Sequence, residues 1–291
     1  MMQGRDRFCY RSSFTLRMNL NTRAIRSKYI VVLMFLLIAC SGPYKSTNKS
    51  YRKQAKTFAR LLKEYPLKDS GGLEYAASFV GTTNFTMRKP SFVIIHHTAQ
   101  NSCEQTLKTF TLTRTQVSAH YVICKDGTIH HMLNDYLRAW HAGASQWGNL
   151  TDVNSSSVGI ELDNNGFEPF PEAQINSLLV LLKKLKKDNN IPAANFIGHA
   201  DIAPKRKNDP NRYFPWKQLA QNGYGYWYDT SNTQLPANFD ALLSLRVIGY
   251  NIKDPAAAIK AFKLHFVQQD TVPVITEADK KIIYELSKKY M

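Results

Sequence analysis

Apolar residues recur along this chain at two spacings, and the switch between them marks out its elements. Ser91–His96 carries Phe92, Val93, Ile94 and Ile95 in succession, as a strand buried on both faces does. His120–Cys124 and Thr128–Met132 read as two more strands, joined through Asp126-Gly127, a pair suited to a tight hairpin. Ser157–Leu162 is a fourth strand, and Asn195-Phe196-Ile197-Gly198 is a second short apolar run. The helical spacing covers Cys103–Arg114 through Leu107, Phe110 and Leu112. It returns over Glu172–Lys187, where Ile175, Leu178, Leu179, Leu182 and Leu185 make one face. Lys183, Lys184, Lys186 and Lys187 suit the negative end of that helix. Strands and helices in this mixture predict an α/β domain with a central sheet.

The flanks have a different rhythm. Residues 41–50 are polar and read as a tether. Tyr51 to Tyr65 sets Tyr51, Ala55, Phe58, Leu61, Leu62 and Tyr65 on one stripe opposite Lys and Arg, a packing helix with a solvated basic face. A membrane-surface helix is the second reading of that stretch. Residues 66–90 are turn-rich and yield no element. Residues 229–238 turn polar again and read as a linker. Beyond it lie three short helical stretches: Asp240–Val247 with Leu242, Leu243 and Leu245, Pro255–Phe266 with Ile259, Phe262 and Phe266, and Glu277–Lys289 with Ile282, Ile283 and Leu286. Pro255 sits where proline is welcome, at a helix start. Residues 239–291 are therefore expected to form a small three-helix domain.

Charge changes the picture at the N-terminus. The chain has 291 residues and a formal net charge of +16. Residues 1–39 hold seven basic residues (Arg5, Arg7, Arg11, Arg17, Arg23, Arg26, Lys28) against one acid, Asp6. Arg23, Arg26 and Lys28 precede the apolar run from Tyr29 to Ala39, the pattern of a secretory leader, and Met18 would give that leader an ordinary length. The run closes on Leu37-Ile38-Ala39-Cys40, which resembles the bacterial lipoprotein box, so residues 1–40 are expected to be a signal peptide ending at a lipidated Cys40. Acyl chains there would anchor the protein to a membrane. Cys9 would leave with the leader, and Cys103 and Cys124 would remain in an oxidising compartment that permits a disulfide. Sequence gives no separation for the pair, so their pairing stays open.

The candidate chemistry gathers in one loop. Gly198 to Pro210 presents His199, Lys207 and Asp209, stiffened by Pro204 and Pro210. Upstream, His96-His97 ends the first apolar strand. A catalytic zinc takes imidazole and carboxylate ligands and keeps one open position, and His96, His199 and Asp209 can supply three ligands. On spacing alone the alternative also stands: a strand-end histidine, a loop histidine and a turn aspartate that never meet.

Five ordered motifs bear on that choice. Ile95-His96-His97-Thr98-Ala99, Ser118-Ala119-His120-Tyr121, Ala139-Trp140-His141-Ala142-Gly143, Val158-Gly159-Ile160-Glu161-Leu162 and Gly198-His199-Ala200-Asp201-Ile202-Ala203-Pro204 together resemble the type 2 zinc N-acetylmuramoyl-L-alanine amidases. That family shares its fold with a phage lysozyme and with peptidoglycan-recognition proteins, and its outer-membrane lipoprotein members match best. The resemblance covers residues 90–228, leaving 41–89 as tether and N-terminal extension. It implies a mixed central β-sheet flanked by helices and, more weakly, a peptidoglycan-binding role for residues 239–291. It implies Zn2+ on His96, His199 and Asp209, with His97 as a neighbour, and catalytic roles for Glu161 and Lys207. His120, Trp140 and His141 are expected along the substrate groove. Tyr224, Tyr226, Trp227 and Tyr228 read as sugar-stacking or, more simply, as packing at a domain edge.

The function so implied is hydrolysis of the amide between N-acetylmuramic acid and L-alanine in peptidoglycan or muropeptides, for wall turnover or recycling. The protein would sit in the periplasm, lipid-anchored at the outer membrane, its basic surface facing an anionic polymer. A recognition protein without activity is the first rival, disfavoured because all three candidate ligands are present. A zinc peptidase cutting the stem peptide is the second. Nucleic acid is excluded as a partner by the secretion signal, and no protein partner is indicated.

Overall fold

The computed structural model describes residues 42–63, 82–84 and 86–291, and it divides into two units at Gly81. The leader and Cys40 lie outside the described residues. In the first unit one helix, α1 (Lys45–Leu61), starts six residues before Tyr51. Residues 45–50 are therefore helical and not an extended tether. Once the Lys-, Arg- and Ala-rich stretch from Arg52 on is helical, adding a residue at its N-terminal end fixes one more backbone position for one more hydrogen bond. None of the residues of α1 is buried.

The second unit is built on a five-stranded sheet, β1 (Phe92–His97), β2 (Tyr121–Ile123), β3 (Ile129–His131), β4 (Ser157–Leu162) and β5 (Phe196–Gly198), in the order β3-β2-β4-β1-β5. Four strands run parallel and β3 pairs antiparallel with β2 across the Asp126-Gly127 turn. The sheet is thus mixed, as expected. Helix α2 (Cys103–Thr111) is capped by Ser102, whose hydroxyl accepts the Gln105 N–H, and ends three residues before Arg114 in a short 3-10 turn. A disulfide joins Cys103 at its start to Cys124 just past β2, with Cα atoms 5.3 Å apart.

Helix α3 (Glu172–Asn189) covers one face of the sheet. Its Ile175, Leu178, Leu182 and Leu185 pack on Val93, Ile95, Val158, Ile160 and Leu162. Leu181 joins this buried stripe, while Leu179 is only partly covered. The helix stops at Asn190, held at φ +56°, a conformation that asparagine tolerates. Two short helices follow β5, α4 (His199–Ile202) and α5 (Trp216–Gln221).

The other face of the sheet carries the C-terminal helices α6 (Ala241–Ile248), α7 (Pro255–Phe266) and α8 (Glu277–Tyr290). Asp240, Asp254 and Thr276 cap them by accepting the N–H groups of Leu243, Ala257 and Asp279. Leu245, Phe262, Ile283 and Leu286 share one core with Ile94, Ile197 and Ile202. Leu243, expected in the apolar stripe of α6, is 54% exposed, because the buried face runs through Ala241, Leu245 and Ile248. Tyr226, Trp227 and Tyr228 pack against this core, and Tyr224 is buried beside Phe196, so packing is the reading that holds for these aromatics.

Candidate active site

Strand register explains which side chains meet. Ile94 and His96 lie opposite Gly159 and Glu161 on one face of neighbouring parallel strands, while Val93, Ile95 and His97 lie opposite Val158, Ile160 and Leu162 on the other. The alternation separates the histidine pair: His96 shares the face of Glu161, and His97 turns away, its Nδ1 accepting the Asn211 N–H at 3.1 Å. Ile95 is in register with Gly198, so His199, the next residue after β5, emerges beside His96. Asp209 closes the loop back, its carbonyl accepting the Ala200 N–H at 2.8 Å. The site thus forms at the carboxyl ends of parallel strands, where open α/β sheets bind ligands.

Three atoms converge there. His96 Nδ1 is 2.9 Å from His199 Nδ1, and each lies 3.1 Å from Asp209 Oδ2. All three residues are buried. The outer nitrogens are committed elsewhere: His199 Nε2 donates to the Ala142 carbonyl at 3.1 Å, and His96 Nε2 donates to His141 Nδ1 at 3.0 Å. With those protons pointing outward, both Nδ1 atoms hold lone pairs aimed at a carboxylate oxygen. Burial, then the neighbouring His199, lowers His96 to about 4, so it stays neutral as a metal ligand must. Three acceptors this close repel one another unless a cation sits among them. Tetrahedral ligands about 2.0–2.1 Å from zinc stand roughly 3.3 Å apart, so the donor set fits such an ion.

Glu161 flanks this cluster. Its Oε2 is closed off from solvent and has no hydrogen-bond partner. Burial first, then the charge of Asp209, raises its carboxyl to about 8, and Lys207 works in the opposite direction. Lys207 is exposed and lines the same cleft of about 290 Å³, along with Trp140, Phe110, Val117 and Arg206.

Of the three residues expected along the groove, the cleft wall contains two, Trp140, 53% exposed, and His141, 8% exposed. His120 is not there. It is fully buried, accepting the Gly159 N–H through Nδ1 at 3.0 Å and donating from Nε2 to the Leu137 carbonyl at 2.8 Å, so the backbone satisfies both nitrogens. His141 is also buried and sits behind His96, its ring nitrogens engaged by His96 and Ser157. Residues with no sequence signal complete the site. Asn154 Oδ1 accepts the N–H groups of both His141 and Ala142, and Arg206 donates to the carbonyls of Ala142 and Ala144. Cys103, Cys124 and His130 also lie close together, but the two sulfurs are bonded to each other.

Residues 86–212 match the family described as N-acetylmuramoyl-L-alanine amidase. The chain is 36% identical over 206 residues to the N-acetylmuramoyl-L-alanine amidase AmiD of Escherichia coli, an alignment spanning 60% of this chain and 74% of that protein. It is 40% identical over 104 residues to the 1,6-anhydro-N-acetylmuramyl-L-alanine amidase AmpD of Haemophilus influenzae, covering 35% of this chain and 56% of the relative. Among solved structures, E. coli AmiD bound to anhydro-N-acetylmuramic acid-L-Ala-D-gamma-Glu-L-Lys superposes with a TM-score of 0.63 at 31% identity, over 76% of this chain and 97% of the other. AmpDH3 of Pseudomonas aeruginosa, in complex with an anhydromuramic pentapeptide, gives 0.64 at 29% identity, over 75% and 98%.

Proposed function

The chain belongs to the N-acetylmuramoyl-L-alanine amidase family, and from that premise we propose a zinc-dependent amidase that cuts the bond between N-acetylmuramic acid and L-alanine in muropeptides, 1,6-anhydro forms included. The observation that carries the zinc reading is the convergence of His96 Nδ1, His199 Nδ1 and Asp209 Oδ2 beside the unpartnered Oε2 of Glu161. The muropeptide substrate is supported by the anhydromuramyl peptides bound to the two structural relatives.

Zinc held by these three residues supplies Lewis acidity and lowers the pKa of water toward about 7. Glu161, whose side chain lines the cleft, would take the proton of the attacking water and return it to the leaving amine. Burial raises the Glu161 carboxyl, and a cation held by His96, His199 and Asp209 would counter that rise and favour the ionised form that a base needs. Lys207 brings an exposed ammonium to the cleft, where it would stabilise the oxyanion of the tetrahedral intermediate. Trp140 offers an exposed ring for the sugar or the stem peptide. The basic leader, its apolar run and the Leu37-Ile38-Ala39-Cys40 ending support lipidation of Cys40 and attachment to the outer membrane from the periplasm.

The test is product analysis. Purified protein incubated with a defined anhydromuramyl tetrapeptide should release an intact stem peptide beginning at L-alanine, read by mass spectrometry. A chelator and Glu161→Gln should each abolish that release, and zinc should restore it after chelation. Shortened stems with the lactyl–alanine bond intact would move the protein to the stem-peptide peptidases.

A further inference from the structure

Behind the three converging atoms lies a second set of buried hydrogen bonds, and its proton positions can be worked out one after another. Ser157 has one hydroxyl proton, and its Oγ is 2.6 Å from the Val153 carbonyl, which can only accept. Toward His141 Nε2, at 3.2 Å, the same Oγ therefore offers a lone pair, so that nitrogen carries the proton. His141 Nδ1 is then an acceptor, and the bond of 3.0 Å to His96 Nε2 requires the proton on His96. His96 Nδ1 is left bare, facing His199 and Asp209. The His141 ring has no room to turn, because it lies flat against Gly159, where a methyl group would overlap it. Its backbone is fixed as well, since Asn154 Oδ1 holds the N–H groups of residues 141 and 142 at 3.1 and 2.9 Å. The carbonyl of Ala142 in turn receives His199 Nε2.

We infer that His141 and Ala142 form one positioning segment for both histidines of the metal centre, with Ser157 and Asn154 fixing the segment. The ring of His141 sets the tautomer of His96, and the carbonyl of Ala142 sets that of His199. His141 is a positioning residue, since it reaches the cation only through His96. This inference rests on the metal-centre reading for its purpose, but the tautomers themselves are a property of the metal-free protein. A histidine is suited to this position because its two nitrogens can pass the polarity of a backbone carbonyl through two side chains, all of them buried.

Two variants of His141 separate the hydrogen bond from the packing. His141→Phe keeps a ring over Gly159 and removes the acceptor. His141→Asn places an amide oxygen where Nδ1 was. The first readout is the tautomer of His96, followed by long-range 1H–15N NMR of the imidazoles in metal-free protein. The second is zinc affinity, measured by competition with a chromophoric chelator. In the parent protein, His96 and His199 should both carry the proton on Nε2. His141→Phe should give His96 a mixed or Nδ1-protonated ring and weaken zinc binding by about 10–100-fold. His141→Asn should restore the Nε2 proton and most of the affinity. Ser157→Ala should also shift the tautomer of His96, two steps along the chain of bonds, by freeing the proton of an unsubstituted His141.

An unchanged His96 tautomer and unchanged zinc affinity in His141→Phe would overturn the inference. If that variant does not fold, Ser157→Ala decides alone: a shifted tautomer supports the inference and an unshifted one overturns it. A parent protein with the expected tautomers but no zinc binding or amidase activity would instead sink the proposed function and leave the positioning role standing.

Discussion

The two faces of strands β1 and β4 are made of alternate residues of the same two segments, yet they are stabilised in different ways. Under α3, Val93, Ile95, Val158, Ile160 and Leu162 pack as a dry apolar layer. On the opposite face the same strands carry His96, Gly159 and Glu161 along with Ile94, and His96 there is fixed by a directed hydrogen bond to His141, which Ser157 and Asn154 hold in turn. The first face tolerates any filling of the right volume, because dispersion and burial have no direction. The second depends on where single protons sit. A change on the apolar face should therefore cost stability and leave turnover per folded molecule intact. A change on the polar face should cost turnover with little loss of stability.

The largest effect should come from Glu161→Gln. Removing the proton-transfer group should reduce kcat/KM by ~10²–10⁴-fold or more, while thermal stability holds or rises, since a buried carboxyl with an unpartnered oxygen is exchanged for a neutral amide. The sign of its pH dependence follows from the raised pKa. Between the ordinary carboxylate range and about 8, metal-free native protein keeps a proton that the unfolded chain gives up, so this group makes stability fall as pH rises through that window. Denaturant melts of metal-free protein at pH 5 and pH 8 should show that the gain from Glu161→Gln is larger at pH 8. A stability loss in this variant at both pH values would break the contrast between the faces.

On the apolar face, Ile160→Ala should destabilise by about 2–5 kcal/mol in urea melts, and its kcat/KM corrected for folded fraction should match the parent. Reducing the Cys103–Cys124 bridge comes next. It joins residues 21 apart in sequence, and a crosslink of that span is worth about 3 kcal/mol. Neither cysteine lines the cleft, so activity at 25 °C should survive reduction while the melting temperature drops.

How much of this contrast was legible in the chain follows the same division. Strand β4 matches its expected bounds, and β1 is shifted by one residue, because continuous apolar runs announce buried strands whatever else they hold. His96, His199 and Asp209 were legible as a candidate ligand set, and they do converge. The choice between His96 and His97 was not readable from β1 itself, since a strand buried on both faces shows no polar alternation to mark its sides. The motif resemblance favoured His96, and the register that sets it opposite Glu161 gives the physical reason. His120 and His141 look alike in sequence, both being histidines set among small and aromatic residues. One is satisfied wholly by backbone and the other ends on His96, one of the three converging residues. Which partner a side chain finds 45 positions away has no local signal, and Asn154 and Ser157 escaped for the same reason. The start of α1 was missed because polar residues such as Ser46, Thr47 and Asn48 mark loops and caps on their own, but not when a helix already runs beyond them.

The smallest predicted effect asks whether any buried polar network on this face matters for turnover, or only those tied to His96 and His199. Asp201, on α4, accepts the Tyr250 hydroxyl at 2.7 Å, the Gly198 N–H at 2.7 Å and His265 Nδ1 at 2.8 Å, which ties the end of β5 to the C-terminal helices. Tyr250 is buried against Trp147 and Phe262, and its hydroxyl bonds to Asp201 and not to His96, His199 or Asp209. Tyr250→Phe keeps the ring and leaves one carboxylate oxygen short of a donor, a loss of about 1–3 kcal/mol. Zinc affinity and kcat/KM should stay at parental values, so that this polar network behaves as the apolar face does. If zinc affinity falls along with stability, the Asp201 cluster belongs to the positioning of His199 two residues away, and the division would run between networks anchored to the helices and those anchored to the sheet.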